Sequence, residues 1–203
     1  MEIERKFAVL RMPKKLENYE CEEIEQGYLC IKPTVRIRKA NNEYTLNYKW
    51  KQKGLEEKDA IQNIEYTMPL TEENYNILLG KIENFLIKKD RYIIPINNGL
   101  IVELDVFHGN LEGLVFAEVE FPDIETARTF IKPDWLGKDL CFDKRFDNTV
   151  LSKVEKYTSE YDPNSEKKME EEQLACFDDD IRYMTQAVDT LTDGFVVFGG
   201  IIG

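Results

Sequence analysis

Over roughly the first 121 residues the chain alternates apolar and polar side chains at a period of two, broken at short intervals by turn residues. Successive side chains of a strand point to opposite faces, so each alternating stretch predicts a strand with two distinct faces. Residues 1–7 open the series, with Glu2, Glu4 and Lys6 on one face and Ile3, Arg5 and Phe7 on the other. A polar connection over residues 13–20 leads to an extended segment at 22–31. Residues 34–39 then set Val35 and Ile37 against Arg36 and Arg38, and Asn41-Asn42 is a hairpin turn signal. In the next strand Tyr44, Leu46, Tyr48 and Trp50 oppose Thr45, Asn47, Lys49 and Lys51. A loop around Gly54 precedes another extended run at 60–68, in which Asn63, Glu65 and Thr67 share a face.

The period changes after Pro69. Thr71 suits a helix N-cap, and Tyr75, Leu78, Leu79 and Ile82 recur at i, i+3, i+4 and i+7, which predicts an amphipathic helix over residues 72–84. Alternation resumes at 85–94, where Arg91 opposes Tyr92, and Asn97-Asn98-Gly99 makes a turn. Residues 100–107 set Leu100, Val102, Leu104 and Val106 against Ile101, Glu103, Asp105 and Phe107. A loop with Gly109 and Gly113 follows, and then Val115, Ala117, Val119 and Phe121 oppose Phe116, Glu118 and Glu120. Asp123 starts a short helix reaching Ile131, and a third begins after Asn148. Eight strands in series with helices only at intervals predict an α+β fold: an eight-stranded antiparallel closed β-barrel with a few peripheral helices. Closing eight strands removes both sheet edges and leaves room inside for side chains or one small ligand.

On most strands one face is apolar. The opposite faces gather Glu2, Glu4, Lys6, Arg36, Arg38, Lys49, Lys51, Glu65, Arg91, Glu103, Asp105, Glu118 and Glu120. Alternation alone permits these charges to face solvent around a small apolar core, or to line a polar tunnel. The charges come as like-signed pairs one pleat apart: Glu2/Glu4, Glu103/Asp105 and Glu118/Glu120, and Arg36/Arg38 and Lys49/Lys51. On a solvated sheet such pairs are mildly destabilising without counter-ions, which favours the tunnel.

Composition narrows the class. The chain has 203 residues, 42% hydrophobic and 33% charged, which suits one globular domain with an appendage. No apolar run approaches the roughly 20 residues that span a bilayer, and no basic flank precedes an apolar leader, so a cytoplasmic protein is expected. A net charge of -12 argues against general nucleic-acid binding. Residues 1–150 hold 22 Lys and Arg against 27 Asp and Glu, and residues 151–203 hold 5 against 12, so most of the excess acid sits in the tail. Cys21, Cys30, Cys141 and Cys176 form no Cys-x-x-Cys pair and read as free buried thiols. His108 is the only histidine and is assigned to a loop or strand end.

Facing carboxylates stay ionised at neutral pH when metal ions or bases neutralise them, and an all-oxygen donor set suits Mg2+ or Mn2+. A ligand that satisfies several Lys and Arg while binding such a cation is most simply a polyphosphate. The matching reaction is attack of water on a terminal phosphorus, with the bases stabilising the developing charge. No Gly-x-x-x-x-Gly-Lys loop is present, so a P-loop enzyme is excluded.

The opening Glu2-Ile3-Glu4-Arg5-Lys6-Phe7 resembles the Glu-x-Glu-x-Lys signature of the CYTH superfamily, the triphosphate tunnel metalloenzymes. The resemblance continues through Val35-Arg36-Ile37-Arg38, Tyr48-Lys49, Ile64-Glu65-Tyr66, Lys89-Asp90-Arg91-Tyr92, Glu103-Leu104-Asp105, Leu111-Glu112-Gly113-Leu114, Ala117-Glu118-Val119-Glu120 and Asp143-Lys144-Arg145-Phe146 with Asn148. It implies a tunnel that binds a triphosphate-bearing small molecule with two Mg2+ or Mn2+ ions. Glu2, Glu4, Glu103, Asp105, Glu118 and Glu120 are then the metal ligands, and Glu65, Glu103, Asp105, Glu118 and Glu120 the carboxylates that position metal and water. Lys6, Arg36, Arg38, Lys49 and Arg91 grip phosphate, and Lys144 or Arg145 closes one mouth. Lys51 and Lys89 are set aside as long-range contributors or surface groups. Within the superfamily the chain is most similar to the inorganic tripolyphosphatases; adenylate cyclase, thiamine triphosphatase and a polyphosphate or nucleotide sensor without turnover are the alternatives.

The tunnel domain implied by the resemblance spans residues 1–157, leaving 158–203 as an acidic extension. Asp162-Pro163 suits a helix start, and Leu174, Phe177, Ile181, Met184, Val188 and Leu191 recur at spacings of three and four. That stripe suits packing on its own domain or a homodimer, and the helix is expected to cap one mouth or join two copies. The end of the chain is apolar and glycine-rich.

Overall fold

The computed structural model describes residues 2–50, 61–158 and 162–164. They belong to one compact unit, Met1–Ser165. The strands are β1 (Glu2–Val9), β2 (Glu20–Cys30), β3 (Thr34–Ala40), β4 (Glu43–Trp50), β5 (Ile61–Leu70), β6 (Ile87–Pro95), β7 (Ile101–His108), β8 (Val115–Glu120) and β9 (Leu136–Asp139), and the α-helices are α1 (Glu72–Leu79), α2 (Ile124–Thr129) and α3 (Asn148–Leu151).

All nine strands join one antiparallel sheet in the order β5-β4-β3-β2-β6-β7-β8-β1-β9. The sheet curls, so that β5 at one end of that order meets β1 next to the other end. Their pairing covers three residues, Glu2 to Glu4 against Asn63 to Ile61. Further along the same edge of β1, Phe7 and Val9 pair with Asp139 and Leu136 of β9.

These observations correct the expected α+β closed barrel of eight strands. The sheet has nine strands and is not closed into a barrel, because the edge of β1 that would complete the ring is divided between β5 and β9. The described fold is mostly β, with helices of eight, six and four residues. Thr71 does cap α1, its hydroxyl accepting from the Asn74 N–H at 3.2 Å, but the helix ends at Leu79 rather than near 84. Ile82 instead fills the hollow over Gly27, where a Cβ would meet its Cγ2 at 2.8 Å.

Two apolar clusters sit on opposite faces of the curl. On the outer face, Ile3, Phe7, Leu104, Val119 and neighbours lie beneath α2 and the Leu136 segment. On the inner face, Ala8, Tyr28, Ile87, Phe107 and Phe116 close over one end with Leu140, Phe146, Leu151 and Val154 of the chain after β9. On β1, β2, β6, β7 and β8 the inner face therefore runs from polar and charged residues to an apolar, largely aromatic floor.

Of the cysteines, Cys21, Cys30 and Cys141 are free, but Cys21 is exposed and the other two are half-buried, so the expected burial does not hold for them. No helix among the described residues is long and apolar enough to cross a membrane. Lys51, Cys176 and the predicted C-terminal helix with its apolar stripe lie outside the described residues. Pro163 and Asn164 form a turn in which the Asn164 N–H donates to Asp162 Oδ1 at 2.8 Å, and Asn164 Nδ2 ties this segment to the Val9 carbonyl at 3.0 Å.

Candidate functional site

Period-two geometry delivers the charged residues to the inner face, and the curl of the sheet brings them together across several strands. On β6, Lys89 and Arg91 project inward beside Ile87. Both are buried. Arg91 is held by three carboxylates: Nε donates to Asp105 Oδ1 at 2.7 Å, Nη2 donates to Asp105 Oδ2 at 2.8 Å and to Glu118 Oε2 at 2.6 Å, and Nη1 pairs with Glu103. Lys89 pairs with Asp105, which is itself fully buried. Lys89 was set aside in sequence as a long-range or surface group; the structure buries it in the middle of the site. Its signal was present, since it stands two residues before Arg91 and therefore shares the same face.

Lys6 stands over the aromatic floor, its Nζ 4.5 Å from the Phe116 ring centre. It donates to the Phe146 carbonyl at 2.6 Å and meets Glu118 at 3.2 Å. In the β3–β4–β5 part, Arg36 donates to Glu65 Oε1 at 3.1 Å, and Lys49 lies 3.8 Å from both Glu65 and Glu4. Arg38 reaches Glu22 at 3.7 Å, while its Nε is buried without a hydrogen-bond partner among the described residues.

The titration behaviour follows from this crowding. Burial, then the Arg91 charge, push Lys89 down to about 8 despite Asp105. Burial opposes the charge on Arg91, but Asp105 and Glu118 overcome it and hold the guanidinium well above its ordinary value. Burial likewise works against Lys6, and Glu118 with Glu4 and Asp147 outweigh it, raising the ammonium. Glu118 is held well below the carboxylate range because Lys6 and Arg91 outweigh its burial. Glu103 is raised by burial, with Glu118 and Asp105 adding to it. Arg38 is lowered by burial, then by Arg91 and Arg36.

The carboxylates stand at cross-strand positions: Glu4 opposite Glu120, and Glu103 opposite Glu118. Among the described residues, no three acids or other ligating groups form a ready-made metal cluster. The all-oxygen donor chemistry of Glu4, Glu103 and Glu120 nevertheless fits a hard divalent cation. Asp105 and Glu118 each have both oxygens taken, the first by Lys89 and Arg91 and the second by Lys6 and Arg91. Glu120 is exposed at the end of β8. Glu2 begins β1, and its side chain lies outside the described residues. Lys144 is exposed, whereas Arg145 is buried, bound to Asp143 through Nε at 3.0 Å and Nη2 at 2.7 Å.

Sequence reading passed over several inner-face residues. Buried Gln26 donates to Tyr28 Oη at 3.2 Å, and the Tyr28 phenol is pushed up to about 12, chiefly by burial. Asp147 N-caps α3 and acts on both Lys6 and Tyr28. Asn47 is buried beside Glu65. Alternation could have pointed to Asn47, which lies between Thr45 and Lys49 on the charged face; Asp147 has the local signal of an N-cap, but nothing local signals its action on Lys6 and Tyr28.

No family model matches the chain. It is 34% identical over 155 residues to an inorganic triphosphatase of Nitrosomonas europaea, a match covering 74% of this chain and 96% of that protein. It is 38% identical over 130 residues to an inorganic triphosphatase of Acetivibrio thermocellus, covering 63% and 78%. Among solved structures, a crystal structure of an inorganic triphosphatase matches with a TM-score of 0.57 at 32% identity, over 75% of this chain and 94% of that one. The similarity spans nearly the whole of the Nitrosomonas relative, and the chain belongs to the inorganic triphosphatase family.

Proposed function

We propose that the inner face hydrolyses a triphosphate, inorganic tripolyphosphate in the first place, in the presence of Mg2+ or Mn2+. The observation that carries this reading is Arg38. It is a cation whose buried Nε has no hydrogen-bond partner among the described residues, and its charge is disfavoured by burial and by two neighbouring guanidinium groups. An arrangement of that kind is relieved by an anion. Family membership points to the same chemistry, because both curated relatives are named inorganic triphosphatases.

In this reading Arg36, Arg38 and Lys49 bind the oxygens of the chain of phosphates. Lys6 and Lys89 add charge from the aromatic floor, whose low polarity strengthens every interaction above it. Arg91 and Asp105 form the rigid ion pair that spaces Glu103 and Glu118. Glu4, Glu103 and Glu120 would hold the divalent cation, which when bound supplies Lewis-acid neutralisation of phosphate charge.

The test is phosphate release from tripolyphosphate, ATP and thiamine triphosphate, each with Mg2+, with Mn2+ and with chelator, for the wild type and Glu4→Gln. Metal-dependent release from tripolyphosphate that collapses in Glu4→Gln is expected. Cyclic AMP and pyrophosphate from ATP, with tripolyphosphate left intact, would overturn the reading.

A further inference from the structure

Asn47 sits on β4 directly opposite Arg36 of β3 and Thr67 of β5. Its side chain is only 4% exposed. Nδ2 donates to Glu65 Oε1 at 2.9 Å and to Thr67 Oγ1 at 2.8 Å, while the Thr45 hydroxyl donates to Oδ1 at 3.4 Å. A buried carboxamide has two N–H donors and a carbonyl acceptor, and all are used here. Such a side chain has a single rotamer and transmits it to what it binds.

What it binds is the hub of the basic part of the site. Glu65 Oε1 also accepts from Arg36 Nη2 at 3.1 Å, and Glu65 Oε2 lies 3.8 Å from Lys49 Nζ. One carboxylate therefore orients two cations, and the Asn47 amide holds that carboxylate in place. The contrast with Arg91 is instructive, since three carboxylates converge on that single guanidinium. Around Glu65 a neutral donor stands where another ionised group would alter the local charge. It occupies a lone pair of Glu65 while leaving the positive field of Arg36 and Lys49 directed at an anion.

We infer that Asn47 positions Glu65, and through it Arg36 and Lys49, to receive the polyphosphate anion, so that this neutral amide sets the affinity of the site. The inference rests on the triphosphatase reading above and deepens it. Asn47 touches no phosphate itself; it is a positioning residue.

The experiment compares full-length wild type, Asn47→Ala, Asn47→Asp, Glu65→Gln and the Asn47→Ala/Glu65→Gln double variant. It measures kcat and KM for tripolyphosphate, the Kd of tripolyphosphate by calorimetry, and thermal unfolding of each protein. Asn47→Ala is expected to raise KM and Kd by about tenfold, the loss of one hydrogen bond to a charged group, with kcat held to within about twofold. On the Glu65→Gln background the same change is expected to add less than about twofold, because its action runs through Glu65. Asn47→Asp keeps the shape but replaces the donors with a second carboxylate, and weakens binding more than alanine does. It serves as the decisive variant if alanine fails to fold. An unchanged Kd in a cooperatively folded Asn47 variant, or the same tenfold loss without Glu65, overturns the inference. If the wild type binds tripolyphosphate but releases no phosphate, the triphosphatase reading falls and the Kd series still decides the role of Asn47. A wild type that does not bind it overturns both.

Discussion

Replacing Arg38 by methionine separates what the inner face contributes to stability from what it contributes to anion binding. The Arg38 side chain is 23% exposed and meets Glu22 at 3.7 Å. A pair at that distance recovers about 4 kcal/mol of Coulomb energy at an effective dielectric of about 20. Removing the ion from water costs several kcal/mol, and Arg91 and Arg36 add repulsion. These opposing effects nearly cancel or leave a small penalty. In protein without ligand, Arg38→Met should therefore leave Tm unchanged or raise it by about 1–3 °C. Tripolyphosphate at a hundredfold excess over its Kd should stabilise the wild type by about 2.7 kcal/mol, roughly 5–10 °C for a domain of this size. The variant loses a charge-assisted contact to the anion, and most of that increment should vanish at the same concentration. Differential scanning calorimetry of both proteins, with and without tripolyphosphate, reads all four values. Loss of more than about 2 kcal/mol in the ligand-free variant, or an intact ligand-induced shift, would refute the reasoning.

Three further predictions concern the fold around the site. Asp105→Asn should cost about 3 kcal/mol in urea unfolding, because it leaves Arg91 and Lys89 buried with less counter-charge, whereas Lys89→Met should cost under about 1.5 kcal/mol since Arg91 still neutralises Asp105; equal costs would contradict that asymmetry. Gly27→Ala should destabilise by about 1–2 kcal/mol through contact with Ile82, and it should cost less on an Ile82→Ala background, which removes both contacting methyl groups; additive losses would place the strain elsewhere. His108 Nε2 lies 2.9 Å from Asp90, a hydrogen bond that together with the Asp90 charge raises the imidazole. A raised histidine contributes stability that is fully present below its unfolded value of about 6.5 and is lost as pH rises through its folded value. Wild-type Tm should therefore decline across that window relative to His108→Gln, by an amount worth at most about 1 kcal/mol for so exposed a pair; parallel Tm profiles would dismiss the pairing.

How far the site was legible in the chain varied with the range of the signal. Glu4, Lys6, Arg36, Arg38, Glu65 and Arg91 could be assigned to one set of faces because side-chain alternation is a local property of the backbone. Thr71 and Asp123 marked helix starts for the same reason, each by a hydrogen bond three residues long. Lys89 shared the face of Arg91, yet its burial depended on Asp105, sixteen residues away. Asn47 shares the charged face of β4 and Asp147 caps its own helix, but their roles at the site arise from neighbours on other elements.

The sequence by itself determined eight of the nine described strands and, on most of them, which face is charged. It did so because a period of two and the pairing of like charges are written along the chain. Tertiary structure alone decided the curl of the sheet, the aromatic floor and the partner of each charge. The segment Leu136–Asp139 has four residues and one glycine, too short a pattern to read, yet it takes the edge of β1 that a closed barrel would need. Which carboxylate neutralises which cation likewise rests on distances between strands far apart in sequence, and those distances exist only once the sheet has curled.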